Sequence, residues 1–362
     1  MYLKNIELTN FRSHQKLKIE FQGNVIVIFG PNGRGKTNIL EAIYFLATGK
    51  SLRSQYDSDS ISHDEKFLKL KSDVSFNDGD KTNLELIVDR TNSTGNRSIK
   101  KFKINQVPKQ GSKFTGILKS VIFLPSDLEL LLSSPSIRRK YLDSIFYQIS
   151  SEYKTAILNY TKALKQRNKL LELMFEESNL NKNHFENQLE FWTSKIISDG
   201  KIIQNHRQDF FNFLHENLYS LNEKLDLLDF KIVFNYIPNP ATEENFINSK
   251  EKEYFTRTTQ FGPHKDDFEI MLNEKNIQYF ASRGQQRVSL IILKIIELEY
   301  IFQKTNERPI LLLDDIFSEL DDKHKNSILK IIKEQQTFIS SVYKLDEFED
   351  LSDQIIDIEE IG

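Results

Sequence analysis

The stretch Val25-Ile26-Val27-Ile28-Phe29-Gly30-Pro31-Asn32-Gly33-Arg34-Gly35-Lys36-Thr37-Asn38-Ile39-Leu40-Glu41-Ala42-Ile43 decides the fold. Its first five residues are apolar and mostly β-branched, which suits a strand buried on both faces. Residues 30–37 then satisfy G-x-x-x-x-G-K-[ST], and residues 38–46 read as a helix that closes near Gly49, a C-terminal stop. A strand, a glycine-rich turn and a helix N-terminus form a positive concavity in which backbone N–H groups wrap a phosphate chain. Lys36 is then placed to reach the β- and γ-phosphates of a nucleotide, and Thr37 to hold magnesium.

Such a loop needs a carboxylate at the end of a neighbouring apolar strand, and Ile310-Leu311-Leu312-Leu313-Asp314-Asp315 supplies two. Asp314 reads as the magnesium residue and Asp315 as the group that orients or deprotonates the attacking water. The competing reading makes Asp-Asp a cap for the helix that follows. A third element, Ala281-Ser282-Arg283-Gly284-Gln285-Gln286-Arg287, precedes an apolar run at 288–302 that reads as a helix buried against the sheet. Alone it is only a helix start able to meet an anion. Its order is informative: phosphate loop, S-x-G-Q, apolar-Asp-Asp, then Ser318-Glu319-Leu320-Asp321.

That order resembles the ABC-type ATPases. Within them it is similar to the RecF family of recombination and gap-repair proteins, relatives of the SMC-type ATPases. The resemblance covers essentially the whole chain: Leu8-Thr9-Asn10-Phe11-Arg12-Ser13, the loop with Asn38, Phe123-Leu124-Pro125-Ser126-Asp127-Leu128, Pro135-Ser136-Ile137-Arg138-Arg139-Lys140-Tyr141-Leu142-Asp143, Gly262-Pro263-His264-Lys265-Asp266-Asp267, and the two later motifs. It implies an α/β fold, an ABC-type P-loop ATPase head with a mixed β-sheet and flanking helices, split by an α-helical lobe. ATP and Mg2+ are the implied cofactors. The nucleotide would lie on Gly30, Pro31, Asn32, Gly33, Arg34, Gly35, Lys36, Thr37 and Asn38 with Arg12, capped by Ser282, Gly284 and Gln285 of a second copy, so that ATP drives homodimerisation. Partners implied by the resemblance are DNA, RecR and RecO, in assistance of RecA loading at gaps. Asp315 stands where many ABC ATPases carry glutamate, and 337–342 offers hydroxyls where a switch histidine is usual, so slow hydrolysis used as a switch is expected.

Along the chain, β-like runs at 2–8, 17–21, 25–29, 68–76, 84–89, 98–104 and 120–123 fill the first 133 residues. From 134 to 237 the period becomes helical, with a turn expected at 179–183, and no sustained heptads of the kind a long-armed SMC protein requires. Residues 238–362 return to strand and helix. The spacing from Lys36 to Ser282, 246 residues, argues against the alternative of a compact transporter ATPase subunit. A small-molecule kinase would have no reason for 282–285.

With 39% hydrophobic residues and 27 Phe, the 362-residue chain is not mainly disordered. No cysteine is present, which excludes disulfides, zinc–thiolate and iron–sulfur sites and a cysteine nucleophile. The start alternates apolar and polar residues like a strand and unlike a signal peptide, and no apolar run approaches the ~18 residues that span a bilayer, so a cytoplasmic protein without membrane contact is expected. The net charge of −3 hides −7 in residues 343–362 and +4 elsewhere. Residues 90–113 carry seven basic side chains and no acid. They read as a hairpin turning near Asn105-Gln106 whose Lys100, Lys101 and Lys103 could follow a DNA backbone, or protect a sheet edge. Arg138 and Arg139, opposing the dipole of the helix they open, are further DNA candidates. For His264 a structural turn and a place near nucleotide or DNA weigh equally, and the acidic tail reads as an ordered surface segment in preference to a partner site.

Overall fold

The computed structural model describes residues 1–54, 56–90, 98–176, 182–225, 230–342 and 351–361. Part of the turn expected at 179–183, Arg97 of the basic segment and residues 343–350 of the acidic tail lie outside the described residues. The chain divides into two units, one of residues 1–128, 220–229 and 283–362, the other of 129–219 and 230–282. The helical lobe was expected to end at 237; the division instead assigns 238–282 to it. The reason is pairing: strand Ile232–Ile237 runs antiparallel to Asp267–Leu272, which holds the intervening segment in the second unit.

In the first unit, Val25–Phe29 is second in a five-stranded parallel sheet, in the order Gln354–Asp357, Val25–Phe29, Thr337–Ser341, Ile310–Asp314, Ser120–Phe123. A second, antiparallel sheet runs His14–Glu20, Asn5–Phe11, Phe67–Ser75, Lys81–Asp89, Ile99–Ile104, Val107–Lys109, with Tyr2–Leu3 paired onto Phe67–Ser75. Helix Lys36–Thr48 packs against strands of both sheets, which explains why Ile39, Leu40, Ile43, Phe45 and Leu46 leave no polar face. Gly49 caps it in the left-handed conformation, as expected. The buried helix expected at 288–302 spans Arg283–Thr305 and packs on Ser120–Phe123 and the turn Pro125–Leu128. Buried Lys294 on that helix pairs with Asp127 at 3.7 Å and Glu297 at 3.6 Å. Burial lowers the Lys294 pKa, but the two carboxylates outweigh it and hold the ammonium charged.

The second unit packs helices Pro135–Ile149, Ser151–Glu176 and Lys182–Leu225 as far as residue 219, together with the 232–237 and 267–272 strands. Its core is aromatic, with Phe146, Tyr153, Phe210 and Phe211 buried together. Among the described residues no helix is long and apolar enough to cross a membrane.

Candidate functional site

The carboxyl ends of the parallel strands meet at the phosphate loop, the place where open α/β sheets bind ligands. Gly35 closes the loop at φ +95°, and a Cβ there would lie 2.4 Å from His14 Nε2. Only glycine fits both constraints. The imidazole approaches Gly35 O at 3.2 Å, and burial outweighs that contact to lower the His14 pKa, so the ring is neutral near pH 7.

Lys36 heads the helix, buried, and its ammonium donates to Gly30 O at 2.6 Å and Pro31 O at 2.9 Å. Burial lowers its pKa; Asp315 and Asp314 act in the opposite direction. Thr37 Oγ1 donates to Asp314 Oδ1 at 2.8 Å, and Ser340 Oγ donates to the same oxygen at 2.7 Å. Parallel register explains the convergence, since Asp314 lies opposite Ser340 and Ser341 opposite Phe29. A hydroxyl and a carboxylate of this kind are hard oxygen donors that suit magnesium. Asp315 turns the chain at φ 49°, ψ 27°, and its N–H donates toward Ser340 O at 3.3 Å and Ser340 Oγ at 3.1 Å. A left-handed aspartate is tolerable but strained, a conformation that clusters at functional positions.

Sequence reading missed Ser340. Its signal is the hydroxyl pair at the end of strand Thr337–Ser341, where a switch histidine is usual.

Other expected residues have different neighbours. The Arg12 guanidinium makes a two-pronged pair with fully buried Glu41, Nη2 to Oε1 at 2.6 Å and Nε to Oε2 at 3.1 Å, and also donates to Ser54 Oγ and Asp59 O. Its charge is matched from within the loop's own helix, a structural role beside the nucleotide contact that the resemblance implies. Asn38 Nδ2 donates to Ser13 Oγ at 2.9 Å, tying that helix to the 12–13 turn. Pro31, Asn32, Gly33 and Arg34 are exposed, Arg34 beside Glu359 at 3.2 Å. Ser282 and Gly284 are exposed at the start of helix Arg283–Thr305, and Gln285 is half-buried.

The basic hairpin forms as expected, with Asn105 and Gln106 both left-handed at its turn. Side chains alternate across a strand, so Lys101 and Lys103 share the outer face while Lys100 points with Phe102 to the other. Lys100 Nζ donates to Asp57 Oδ2 at 2.6 Å and Gly49 O at 2.9 Å. This corrects its expected place beside Lys101 and Lys103. Arg138 is likewise taken, its Nε and Nη2 bonding both oxygens of Asp267 at 2.6 and 2.9 Å, and Arg139 Nη1 donates to Asp266 O at 2.8 Å. The Arg138 charge is matched by Asp267 inside the second unit, and Arg139 is tied there to a backbone carbonyl, so the cost of opening the helix with Arg138 is met within the fold.

Register reveals basic residues that the sequence reading did not select. Across the antiparallel sheet, Lys16, Thr9, Lys69, Ile87 and Lys101 form one row, and Lys18, Glu7, Lys71, Glu85 and Lys103 the next. Six lysines stand on alternate strands, about 10 Å apart across the sheet and about 7 Å along it. The alternation was visible in Lys16-Leu17-Lys18 and Lys69-Leu70-Lys71; the pairing was not. Lys103 and Lys71 reach Glu85 at 2.6 and 3.3 Å. Burial raises the Glu85 pKa, but bonds from the two lysines outweigh it and hold the group below the usual range.

The sequence profile of the RecF/RecN/SMC N-terminal domain matches residues 2–359. The DNA replication and repair protein RecF of Bacillus cereus (strain G9842) is 36% identical over 94% of this chain and 92% of its own length. RecF of Bacillus thuringiensis (strain Al Hakam) gives the same figures. A solved structure described as the recombination mediator protein RecF with ATP, in the RecFOR pathway, superposes with a TM-score of 0.85 at 32% identity, covering 95% of this chain and 93% of that one. An SMC head bound to a winged-helix domain of ScpA, 19% identical with a TM-score of 0.52 over 98% of this chain and 94% of that one, shares the fold.

Proposed function

Because the chain belongs to the RecF family of SMC-type ATPases, we propose that it is an ATP-binding protein of DNA replication and recombinational repair, in which nucleotide switches a DNA-bound homodimer on and off. The observation that carries this reading is the meeting of Lys36, Thr37, Asp314 and Ser340 at the strand ends. Thr37 and Asp314 would hold Mg2+, which would offset phosphate charge there. Lys36 holds the loop carbonyls and is free to turn to phosphate; Asp315, aimed by its turn, aligns water for slow hydrolysis. Ser282, Gly284 and Gln285 would cap the nucleotide of a second copy, so nucleotide and partner stabilise each other by linkage.

The six-lysine face of the antiparallel sheet suits a sequence-tolerant DNA backbone contact: its two rows hold six lysines against Glu7 and Glu85. Action with RecO and RecR in RecA loading, in the cytoplasm, completes the reading. Sedimentation with and without ATP–Mg, alone and with a gapped duplex at two salt concentrations, tests it. An ATP-dependent monomer-to-dimer shift and steeply salt-dependent DNA binding are expected. A chain that binds ATP yet neither dimerises nor binds DNA would return the assignment to an ATPase subunit awaiting a protein partner.

A further inference from the structure

The Gly262-Pro263-His264-Lys265-Asp266-Asp267 segment lies in the second unit, and its turn is held by a dense set of buried hydrogen bonds. Fully buried Asp266 accepts from Arg207 Nη1 and Gln204 Nε2 at 2.8 Å, Asn239 N at 2.7 Å and Tyr236 Oη at 2.5 Å. Gly262 sits at φ +127°, and a Cβ there would meet Tyr160 Oη at 2.3 Å. His264 Nδ1 pairs with Tyr160 Oη at 2.5 Å while Nε2 approaches Thr259 O at 3.1 Å, so the ring is a neutral strut. A buried polar network of this density holds the backbone of the turn in one conformation, and the turn's exposed residue is Lys265.

Lys265 opens onto a cavity of about 390 Å³, within the size range of small-ligand sites. Lys252 lines it too, with Asn239, Asn248, Gln260 and Phe261, and no aspartate or glutamate is among its lining residues. Neither ammonium has a carboxylate within ion-pair distance among the described residues, unlike Lys71 and Lys103, which share Glu85. Two unmatched positive charges on a preorganised wall call for an anion. The partly exposed Phe261 ring, set edge-on against Phe246 at 6.4 Å, adds a surface on which a base can stack, and the exposed Asn248 amide adds a donor and an acceptor for its edge, while Gln260 Nε2 and Asn239 Oδ1 are bonded within the protein.

We propose that this cavity is a binding site for one nucleotide of a DNA strand, its phosphate held by Lys252 and Lys265 and its base against Phe261. The inference rests on the DNA-binding reading above and extends it to the second unit. An acidic peptide would need only the lysines and would leave the ring and amide without a role.

The test compares the full chain with the Lys252→Ala/Lys265→Ala variant and with Phe261→Leu, using a labelled 5′-phosphorylated oligo-dT titrated across a salt series. ATP binding at the phosphate loop serves as the control for folding. Removing both lysines should weaken binding about tenfold and make the slope of log K against log salt shallower by about 0.7, the value for the one single-strand phosphate they hold. Phe261→Leu should weaken binding severalfold at unchanged slope. An unchanged slope in the lysine variant, beside a wild type that binds DNA, overturns this site and leaves the function standing. A wild type that binds no DNA overturns both. Loss of poly-glutamate binding without loss of oligo-dT binding would assign the cavity to a protein partner. Free dTMP that protects the cavity lysines while the oligo-dT slope stays unchanged would assign it to a free nucleotide; either result refutes the proposal.

Discussion

Replacing Arg12 by Ala tests whether its guanidinium serves the nucleotide or the fold. Glu41 is fully buried and accepts three bonds, two from Arg12 at 2.6 and 3.1 Å and one from Ser51 Oγ at 3.1 Å. Removing one partner of a buried ion pair typically costs about 3–5 kcal/mol, because a charge stays behind without compensation. Here Ser51 remains and Arg53 Nε stands 3.9 Å from Glu41 Oε2, so the lower end, about 3 kcal/mol, is expected. For a unit of this size that lowers the melting temperature by about 6–12 °C. Glu41→Gln should destabilise less, and the double variant Arg12→Ala/Glu41→Gln should recover about 2 kcal/mol relative to additivity, the signature of a coupled pair. ATP affinity, measured by titration below the melting range, should change only severalfold in Glu41→Gln. A variant Arg12→Ala that melts like the wild type but loses ATP affinity more than tenfold would refute the reasoning, and return Arg12 to the nucleotide contact that family resemblance implies.

Gly35→Ala should lower ATP affinity at least tenfold, since its Cβ would meet His14 Nε2 at 2.4 Å at a left-handed φ; adding His14→Ala should recover part of the loss in the same titration. Asp315→Asn should keep ATP binding while hydrolysis, followed by phosphate release, slows on the order of a hundredfold; equal rates would remove Asp315 from the water-aligning role. His264 carries a pH prediction. Its pKa is lowered by burial to about 4 from a free value near 6.5, so the unfolded chain binds more protons between those limits. Stability from this group is therefore complete above about pH 6.5 and is lost as pH falls toward 4, by at most about 3 kcal/mol. Unfolding midpoints at pH 7 and 5 should differ less in His264→Gln than in the wild type, and an equal difference would show that the ring does not titrate this way.

The nucleotide loop and its carboxylate strand were legible because their chemistry is local. Glycines, a lysine and a threonine at fixed spacing, and an apolar run ending in Asp314-Asp315, specify strand, turn and helix from neighbours alone. Even so, the sequence placed Thr37 and Asp314 as partners only by requirement; the 2.8 Å bond between them, and Ser340 on the same oxygen, depend on three strands lying in parallel register. Register is a long-range property, and nothing in a contiguous segment records it.

Charge shows the same limit more sharply. Counting along the chain singled out residues 90–113, but binding depends on charge per face, and a face gathers residues from distant segments. Lys100 and Lys101 are adjacent in sequence, and the pleat sends them to opposite sides: Lys100 to Asp57 and Gly49 O, Lys101 to a row with Lys69 and Lys16. Arg138 and Arg139 looked costly at a helix start and so looked functional, yet their compensation, Asp267 and Asp266 O, lies more than a hundred residues away. An unfavourable local charge is thus evidence of function only after its tertiary partners are known. By that criterion Lys252 and Lys265, unremarkable in composition and without a carboxylate in reach among the described residues, are stronger anion-binding candidates than Arg138.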